Sequence, residues 1–333
     1  MYWVMVKNSM CKKALISGGT GFIGSHVAEA LLKNHWKVHV IDKYGFKEYK
    51  DLDSLRNNKN IIFQEVDLNN YDEISSINND FDCIFHFAAK LGVADVNKEP
   101  YEVLKTNIST TKNIINYSLL NPDLDRFIFA STSEVYSGTQ KHFNLTIPTP
   151  ESEPLTIDSV SSPRSSYMLS KSIGESLCHF SQLPITILRP FNIYGSRAGI
   201  RHVIPQLLEK VYKAKSGDSI EVFSPDHTRA FCHIEDATMQ IMSILENENC
   251  KNETLNLGNQ TREISMYELA KICIEVSGKD LGIKKLEVTE GSPQRRAPSM
   301  EKSQDLIGCL PKVTLEDGIA RTYSWYSNNF FGK

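Results

Sequence analysis

Short apolar runs alternate with helix-period segments through the first 130 residues, and that alternation admits few folds. Lys13–Ser17 (KALIS) ends in glycines and leads into a helical pattern from Phe22 to Asn34. Lys37–Ile41 (KVHVI) ends in Asp42, Asn60–Val66 (NIIFQEV) ends in Asp67, and Cys83–Phe87 (CIFHF) ends in two alanines. A long helical pattern over Val103–Leu120 then precedes the run Arg126–Ala130 (RFIFA). Short runs apolar on both faces, each separated from the next by a helix, predict a parallel sheet with helices on both sides. In such sheets ligands meet the carboxyl ends of the strands, so the polar residues after each run should share one rim.

The first rim segment is GGTGFIG. Gly18, Gly21 and Gly24 are spaced GxxGxxG, and Gly19 with Gly21 and Gly24 also satisfies GxGxxG. Glycines there permit a tight turn and let backbone N–H groups approach a pyrophosphate at the helix N-terminus. A glycine turn after a strand is common by itself; its place after the first strand and before the first helix gives it weight. Asp42 closes the second run. A carboxylate at that point accepts from the adenosine ribose hydroxyls and repels a 2′-phosphate, favouring NAD over NADP. Lys43 partly offsets the repulsion, and a plain capping role for Asp42 is the alternative. Asp67 would meet the adenine or merely cap, and Asn107, inside the long helix, would often be satisfied by backbone alone.

After RFIFA the rim reads STSEVY (Ser131–Tyr136), three hydroxyls, a carboxylate and a phenol, more than turn capping needs. Further on, Tyr167 and Lys171 stand four residues apart in SSYMLSKSIGES, on one face of an expected helix. A phenol with a pKa near about 10 is a poor base at neutral pH. A neighbouring ammonium and a positive nicotinamide ring would stabilise the phenolate. The pair could then take a proton from an alcohol while NAD⁺ takes the hydride. Tyr-x-x-x-Lys alone is common on helices and carries little.

GGTGFIG, Asp42, HFAAKLGV (His86–Val93), STSEVY, YMLSK and RPFNIYGSR (Arg189–Arg197) occur in one order. In that order the chain resembles the extended short-chain dehydrogenase/reductase family, in particular its nucleotide-sugar epimerases, dehydratases and decarboxylases, from about Lys12 to about Tyr326. The resemblance implies a Rossmann-type doubly wound α/β sheet over residues 11–190, joined by some later segments. A smaller mixed α/β substrate lobe would occupy mainly 191–330. It also implies catalytic roles for Thr132, Ser133, Glu134, Tyr167 and Lys171, with Thr132 bonding the sugar O4 and Lys171 holding the nicotinamide ribose. NAD would lie on Gly18, Gly21, Phe22, Ile23, Gly24, Asp42, Asp67, Leu68, Ala88, Ala89, Lys90, Asn107, Tyr167 and Lys171. Asn192 and Arg229 would meet the diphosphate, unless Arg229 only bridges the lobe to the sheet, and His202–Glu209 with Ile220–Phe223 would line the nucleotide pocket. Relatives pair the 103–120 and 167–180 helices into a four-helix dimer, so a homodimer is expected, although some of Ile108, Ile114, Ile115, Ile173 and Leu177 could be core instead.

Relatives share oxidation at C4 and then diverge. Once C4 is a ketone the C5 proton is acidified, and a carboxylate such as Glu134 can move it; a pure 4-epimerase needs none. STSEVY followed by PQRRAPS (Pro293–Ser299) is closest to UDP-glucuronate decarboxylases, where Arg296 would bind the substrate carboxylate or act as an acid. 4,6-Dehydration and 4-epimerisation are the alternatives, and Arg295 or Arg296 could instead meet the diphosphate. A non-catalytic NAD-binding regulator is the alternative of another class, and such a protein would be expected to lose Tyr167 or Lys171. Two departures from the family pattern touch the sugar end: Ser137-Gly138 stands where Gly usually follows Tyr136 at once, and Lys141–Ser166 is a long stretch expected to form an irregular loop. The net charge of −3 argues against a nucleic-acid partner. Seven scattered cysteines without a CxxC pair suggest no metal, no disulfides and a reducing cytoplasm. The opening MYWVMVKNSMCKK is too short and polar for a signal peptide, and no run is long enough for a membrane span.

Overall fold

The computed structural model describes residues 11–332 apart from 48 and 290, without the side chains at 50 and 93–95. The reading of residues 1–10 therefore lies outside the described residues. Strands β1 (Lys13–Ser17), β2 (Lys37–Asp42), β3 (Ile61–Glu65), β4 (Cys83–His86), β5 (Arg126–Ala130) and β6 (Ile185–Pro190) join Glu253–Leu257 in one sheet. Their order is β3-β2-β1-β4-β5-β6 and then Glu253–Leu257, all pairs parallel. The apolar runs lack a polar face because both faces are covered. Ala14, Ile16, Val38, Val40 and Phe85 pack on one side with Val27 and Leu31 of helix Phe22–Lys33 and Ile241 and Ile244 of helix Ile234–Glu246. Leu15, Ile84, Phe127 and Phe129 pack on the other with Ile114 and Ile115 of helix Pro100–Ser118 and Cys178 of helix Ser165–Phe180. Each fully buried Val, Leu, Ile or Phe among them is worth about 1.5–3 kcal/mol. Phe129 also presses on the helix holding Tyr167: a Cβ on Gly174 would lie 2.5 Å from its ring.

Strand order reverses between β1 and β4, which opens a crevice at their carboxyl ends. The smaller lobe is built on Val203–Lys213, Met266–Ser277 and Leu315–Tyr326 around Leu207, Leu208, Leu269 and Ile319. Ile220 and Val222 belong to that core, so of Ile220–Phe223 only Glu221 and Phe223 stand at the surface. A three-stranded sheet in the lobe pairs Thr228–Ala230 antiparallel with Glu263–Ser265 and parallel with Arg295–Arg296.

The loop expected over Lys141–Ser166 is trimmed by helices at both ends, its last two residues opening the helix Ser165–Phe180. Ser137–His142 is helical, so the loop begins two residues later than Lys141. A Cβ on Gly138 would lie 1.8 Å from the Thr156 carbonyl oxygen, so the displaced glycine lets the loop close over this helix. Thr149 then binds the far lobe, its N–H donating to Ala297 at 2.9 Å and its carbonyl accepting from Ser299 N–H at 2.9 Å. No helix among the described residues is long and apolar enough to cross a membrane.

Candidate active site

The glycine segment forms a bare cradle. Gly18 takes φ +72°, and a Cβ there would lie 2.6 Å from the Ala88 nitrogen; a Cβ on Gly24 would lie 2.3 Å from the Gly18 oxygen. Gly21 caps the helix without a side chain, and its first turn, beginning Phe22-Ile23, carries no acidic residue. That is an N-terminus open to an anion, and the residues fit a dinucleotide's pyrophosphate. Asp42 sits beside it and accepts from the Thr20 hydroxyl at 2.6 Å and from Tyr44 N–H at 3.3 Å. Lys43 turns away, to Asp67 at 2.8 Å, so its ammonium is engaged rather than offsetting Asp42. Leu68 is buried in the core, and its carbonyl accepts from Asn113 at 2.8 Å. Asn107 clamps the loop after β4: its carbonyl oxygen accepts from Lys90 N–H at 2.7 Å, and its amide donates to Lys90 O at 3.0 Å and to Ser170 at 3.1 Å. It thereby ties the Ala88-Ala89-Lys90 turn to the Tyr167 helix.

STSEVY fans out from the end of β5. Ser131 donates to Glu175 at 2.5 Å. Thr132 accepts from Glu134 N–H at 3.2 Å and is hydrogen-bonded to the Tyr167 phenol. Ser133 is buried. Glu134 reaches Arg296, with Oε1 2.7 Å from the guanidinium. Tyr136 points inward, accepting from Arg189 at 2.7 Å and donating to Asn256 at 3.2 Å. Arg189 is itself held by Glu175 at 2.6 and 2.9 Å, both side chains over nine-tenths buried. Thr132 and Glu134 thus stay partly exposed, Ser133 is buried, and Ser131 and Tyr136 anchor the segment to the core. The anchoring network, Glu175–Arg189–Tyr136–Asn256, joins residues far apart in the chain, and sequence reasoning did not find it.

Tyr167 and Lys171 share a helix face but not a hydrogen bond. The Lys171 ammonium donates to the Ala130 carbonyl at 2.6 Å and lies 4.8 Å over the Phe129 ring. Burial lowers its pKa to about 8. Burial pushes the Tyr167 phenol well above its ordinary value, the Glu134 charge adds to the rise, and the Thr132 bond opposes it. The expected lowering of the phenol by its lysine is therefore absent from this geometry.

Arg295 and Arg296 separate by strand alternation. Arg295 turns outward to Glu263 at 2.6 and 3.0 Å, and Arg296 turns inward to Glu134. The register sets Arg296 beside Arg229, which is buried and bonds Thr228 O at 2.7 Å and Ser292 at 3.0 Å. Burial and the Arg296 charge lower Arg229 to about 10. The Arg296 charge, helped by Arg164 and Arg229, holds Glu134 below the ordinary carboxylate range. Asn192, at φ +43°, donates to Ala230 O at 2.9 Å, on the strand that carries Arg229.

A glycine cradle at the switch point of a doubly wound sheet, an acidic residue closing the second strand and a Tyr–Lys helix define an NAD-linked enzyme fold. Residues 14–258 match the model of the NAD dependent epimerase/dehydratase family, and the chain belongs to that family. UDP-N-acetyl-alpha-D-glucosaminuronate decarboxylase of Bacillus cytotoxicus is 31% identical over 95% of this chain and 98% of its own length. UDP-glucuronic acid decarboxylase 1 of Danio rerio is 28% identical over 95% of this chain and 73% of its own. The crystal structure of UDP-glucuronic acid 4-epimerase from Bacillus cereus, in complex with UDP-glucuronic acid and NAD, has a TM-score of 0.79 and 28% identity, covering 95% of this chain and 99% of that one.

Proposed function

We propose that this enzyme oxidises the hexuronate of a nucleotide-sugar at C4 and then removes its carboxylate as CO₂. The observation that carries the reading is the Glu134–Arg296 pair at 2.7 Å, set beside the hydrogen-bonded Thr132 and Tyr167. A guanidinium there suits a sugar carboxylate, and a role on the diphosphate is the alternative use of the same group. The three relatives above act, by their names, on sugars bearing a carboxylate.

In this reading Thr132 orients the sugar O4, Tyr167 takes the O4 proton, and Lys171 and Asn107 hold the cofactor end of the cleft. NAD, held by the Gly18–Gly24 cradle, Asp42 and Lys171, would supply the hydride chemistry at C4 and a positive ring beside the Tyr167 phenol. Arg296 places the carboxylate over the C4 ketone, which is the electron sink for CO₂ loss. Arg229 and Asn192, both held on the Thr228–Ala230 strand, would bind the diphosphate, and the lobe from residue 191 would hold the nucleotide end. Epimerisation at C4 of the same acidic sugar is the second reading, favoured by the likeness to the Bacillus cereus epimerase. A non-catalytic role has no support, because Thr132, Tyr167 and Lys171 are all present in one cleft.

We further propose a cytoplasmic homodimer. Ile114 and Ile115 are buried and Leu177 packs on the core, but Ile173, Tyr101 and Phe180 on the same two helices are 38%, 70% and 85% exposed. Light scattering at micromolar concentration should give two chains, and a monomer would refute the dimer. Incubation with UDP-, GDP-, dTDP- and CDP-linked uronates and mass spectrometry of the products test the reaction. Loss of CO₂ from one of them supports it, and an isomer of unchanged mass supports the epimerase.

A further inference from the structure

Arg197 closes the RPFNIYGSR motif and touches none of the groups assigned above, yet it is buried and sits in the left-handed region at φ +65°. Residues with side chains are uncommon there and persist only where their surroundings fix them. Its guanidinium meets partners on two segments that flank the cofactor site. Nη1 donates to Ser25 at 3.4 Å and Nη2 to Glu29 at 2.7 Å, both on the helix that the glycine cradle opens. Nε donates to Asp51 at 2.7 Å, in the turn that ends the segment after Asp42. We propose that Arg197 is a positioning residue for NAD, locking the pyrophosphate helix and the ribose segment into one fixed geometry so that the cofactor is retained.

A planar fork can meet two carboxylates and a hydroxyl at once, which the point charge of a lysine cannot. The contact is largely out of water: the guanidinium is 8% exposed, Glu29 22% and Asp51 30%. Both ion pairs are charge-assisted hydrogen bonds. The residues on either side of Arg197 reinforce it. His26, on the same helix, donates from Nδ1 to Phe22 O at 2.9 Å. Burial and the Arg197 charge lower its pKa to about 4, so the ring is neutral and Nε2 accepts from the Ser196 hydroxyl at 3.1 Å. Ala198 O accepts from the Tyr326 phenol, and Tyr49, two residues before Asp51, packs edge-on against Trp325 at 4.8 Å. The turn Ser196–Ala198 and the lobe helix Leu315–Tyr326 therefore hold both cofactor-binding segments from one side.

A dinucleotide spans those two segments, its pyrophosphate on the cradle and its adenosine ribose at Asp42. Its affinity depends on their being held at a set separation, because a site ordered in advance leaves less to be ordered on binding. Without the guanidinium, Glu29 and Asp51 are like charges around one vacated point, and their repulsion drives the ribose segment away from the helix. A site loosened in this way loses its ligand faster, since changes in affinity fall mostly on dissociation.

The experiment loads the enzyme with radiolabelled NAD and chases with excess unlabelled NAD. No nucleotide-sugar is present, so the outcome is independent of the reaction proposed above. Arg197→Met should release the label about tenfold faster or more. Arg197→Lys keeps the charge but cannot meet both carboxylates, and Asp51→Asn frees only the ribose segment. Each should give a smaller acceleration, and these two carry the test if Arg197→Met does not fold. Arg126→Met removes a fully buried arginine at the amino end of β5, the opposite end of the sheet from the cradle. That variant should lower the melting temperature without speeding release. Release within about threefold of wild type in the Arg197 and Asp51 variants, or equal acceleration by Arg126→Met, overturns the proposal.

Discussion

Arg295 and Arg296 are neighbours in one short strand, and replacing each by glutamine should have opposite consequences. Both lose an ion pair that is partly exposed, Arg295 with Glu263 and Arg296 with Glu134. Such pairs contribute about 0–1 kcal/mol, so the two variants should melt close together and close to wild type. Catalysis should not be symmetrical. Arg295→Gln changes a contact on the outer face of the lobe and should leave turnover nearly intact. On the proposed function, Arg296→Gln would remove the guanidinium from the substrate carboxylate, and losing one partner of a desolvated charge pair costs about 2–4 kcal/mol. That corresponds to about 30- to 1000-fold in kcat/KM for CO₂ release. Oxidation at C4 does not need Arg296, so NADH fluorescence should still appear when substrate is added to the NAD-loaded variant. CO₂ release and NADH fluorescence on the same samples, with thermal melts as control, decide the matter. If Arg296→Gln keeps CO₂ release within about threefold of wild type, or if Arg295→Gln is equally damaging, the assignment of the inward arginine is wrong.

Tyr167→Phe should abolish NADH formation and every product, while substrate binding measured by calorimetry persists. Lys171 carries its proton only below about pH 8, so NADH formation should decline as pH rises through that value, and Lys171→Arg should move the decline upward. Asp42→Asn keeps a partner for the Thr20 hydroxyl but removes the charge, and should narrow the preference for NAD over NADP by about tenfold or more in equilibrium titration. Arg189→Met strands a buried carboxylate at Glu175, and should cost about 3–5 kcal/mol in urea unfolding.

The Rossmann half was legible because both its signals are local. β1 and β5 coincide with the apolar runs read from sequence, and helix Phe22–Lys33 ends one residue before the expected Asn34. Boundaries moved where capping decided them: the long helix starts at Pro100, whose fixed φ suits a first turn, rather than at Val103. The glycines and Asp42 were readable since a tight turn and a strand-end carboxylate leave fixed spacings. Ion pairs between distant segments leave none. Nothing local in STSEVY reveals that Glu134 meets Arg296, that Ser131 and Tyr136 serve the Glu175–Arg189 pair, or that Arg295 faces outward. The helix at Ser137–His142 was missed for the same reason, since Gly138 reads as a breaker until Thr156 is seen against it.

Decarboxylation and epimerisation part company only after C4 has been oxidised, and the mass of the product tells them apart directly. The NAD-loaded enzyme should be incubated with UDP-glucuronate and UDP-N-acetylglucosaminuronate, and the nucleotide products weighed by mass spectrometry. The predicted result is a nucleotide-sugar lighter than one of these substrates by CO₂, formed catalytically and absent with Tyr167→Phe. Complete conversion to an isomer of unchanged mass, with no CO₂ released, would contradict it and make the enzyme a 4-epimerase.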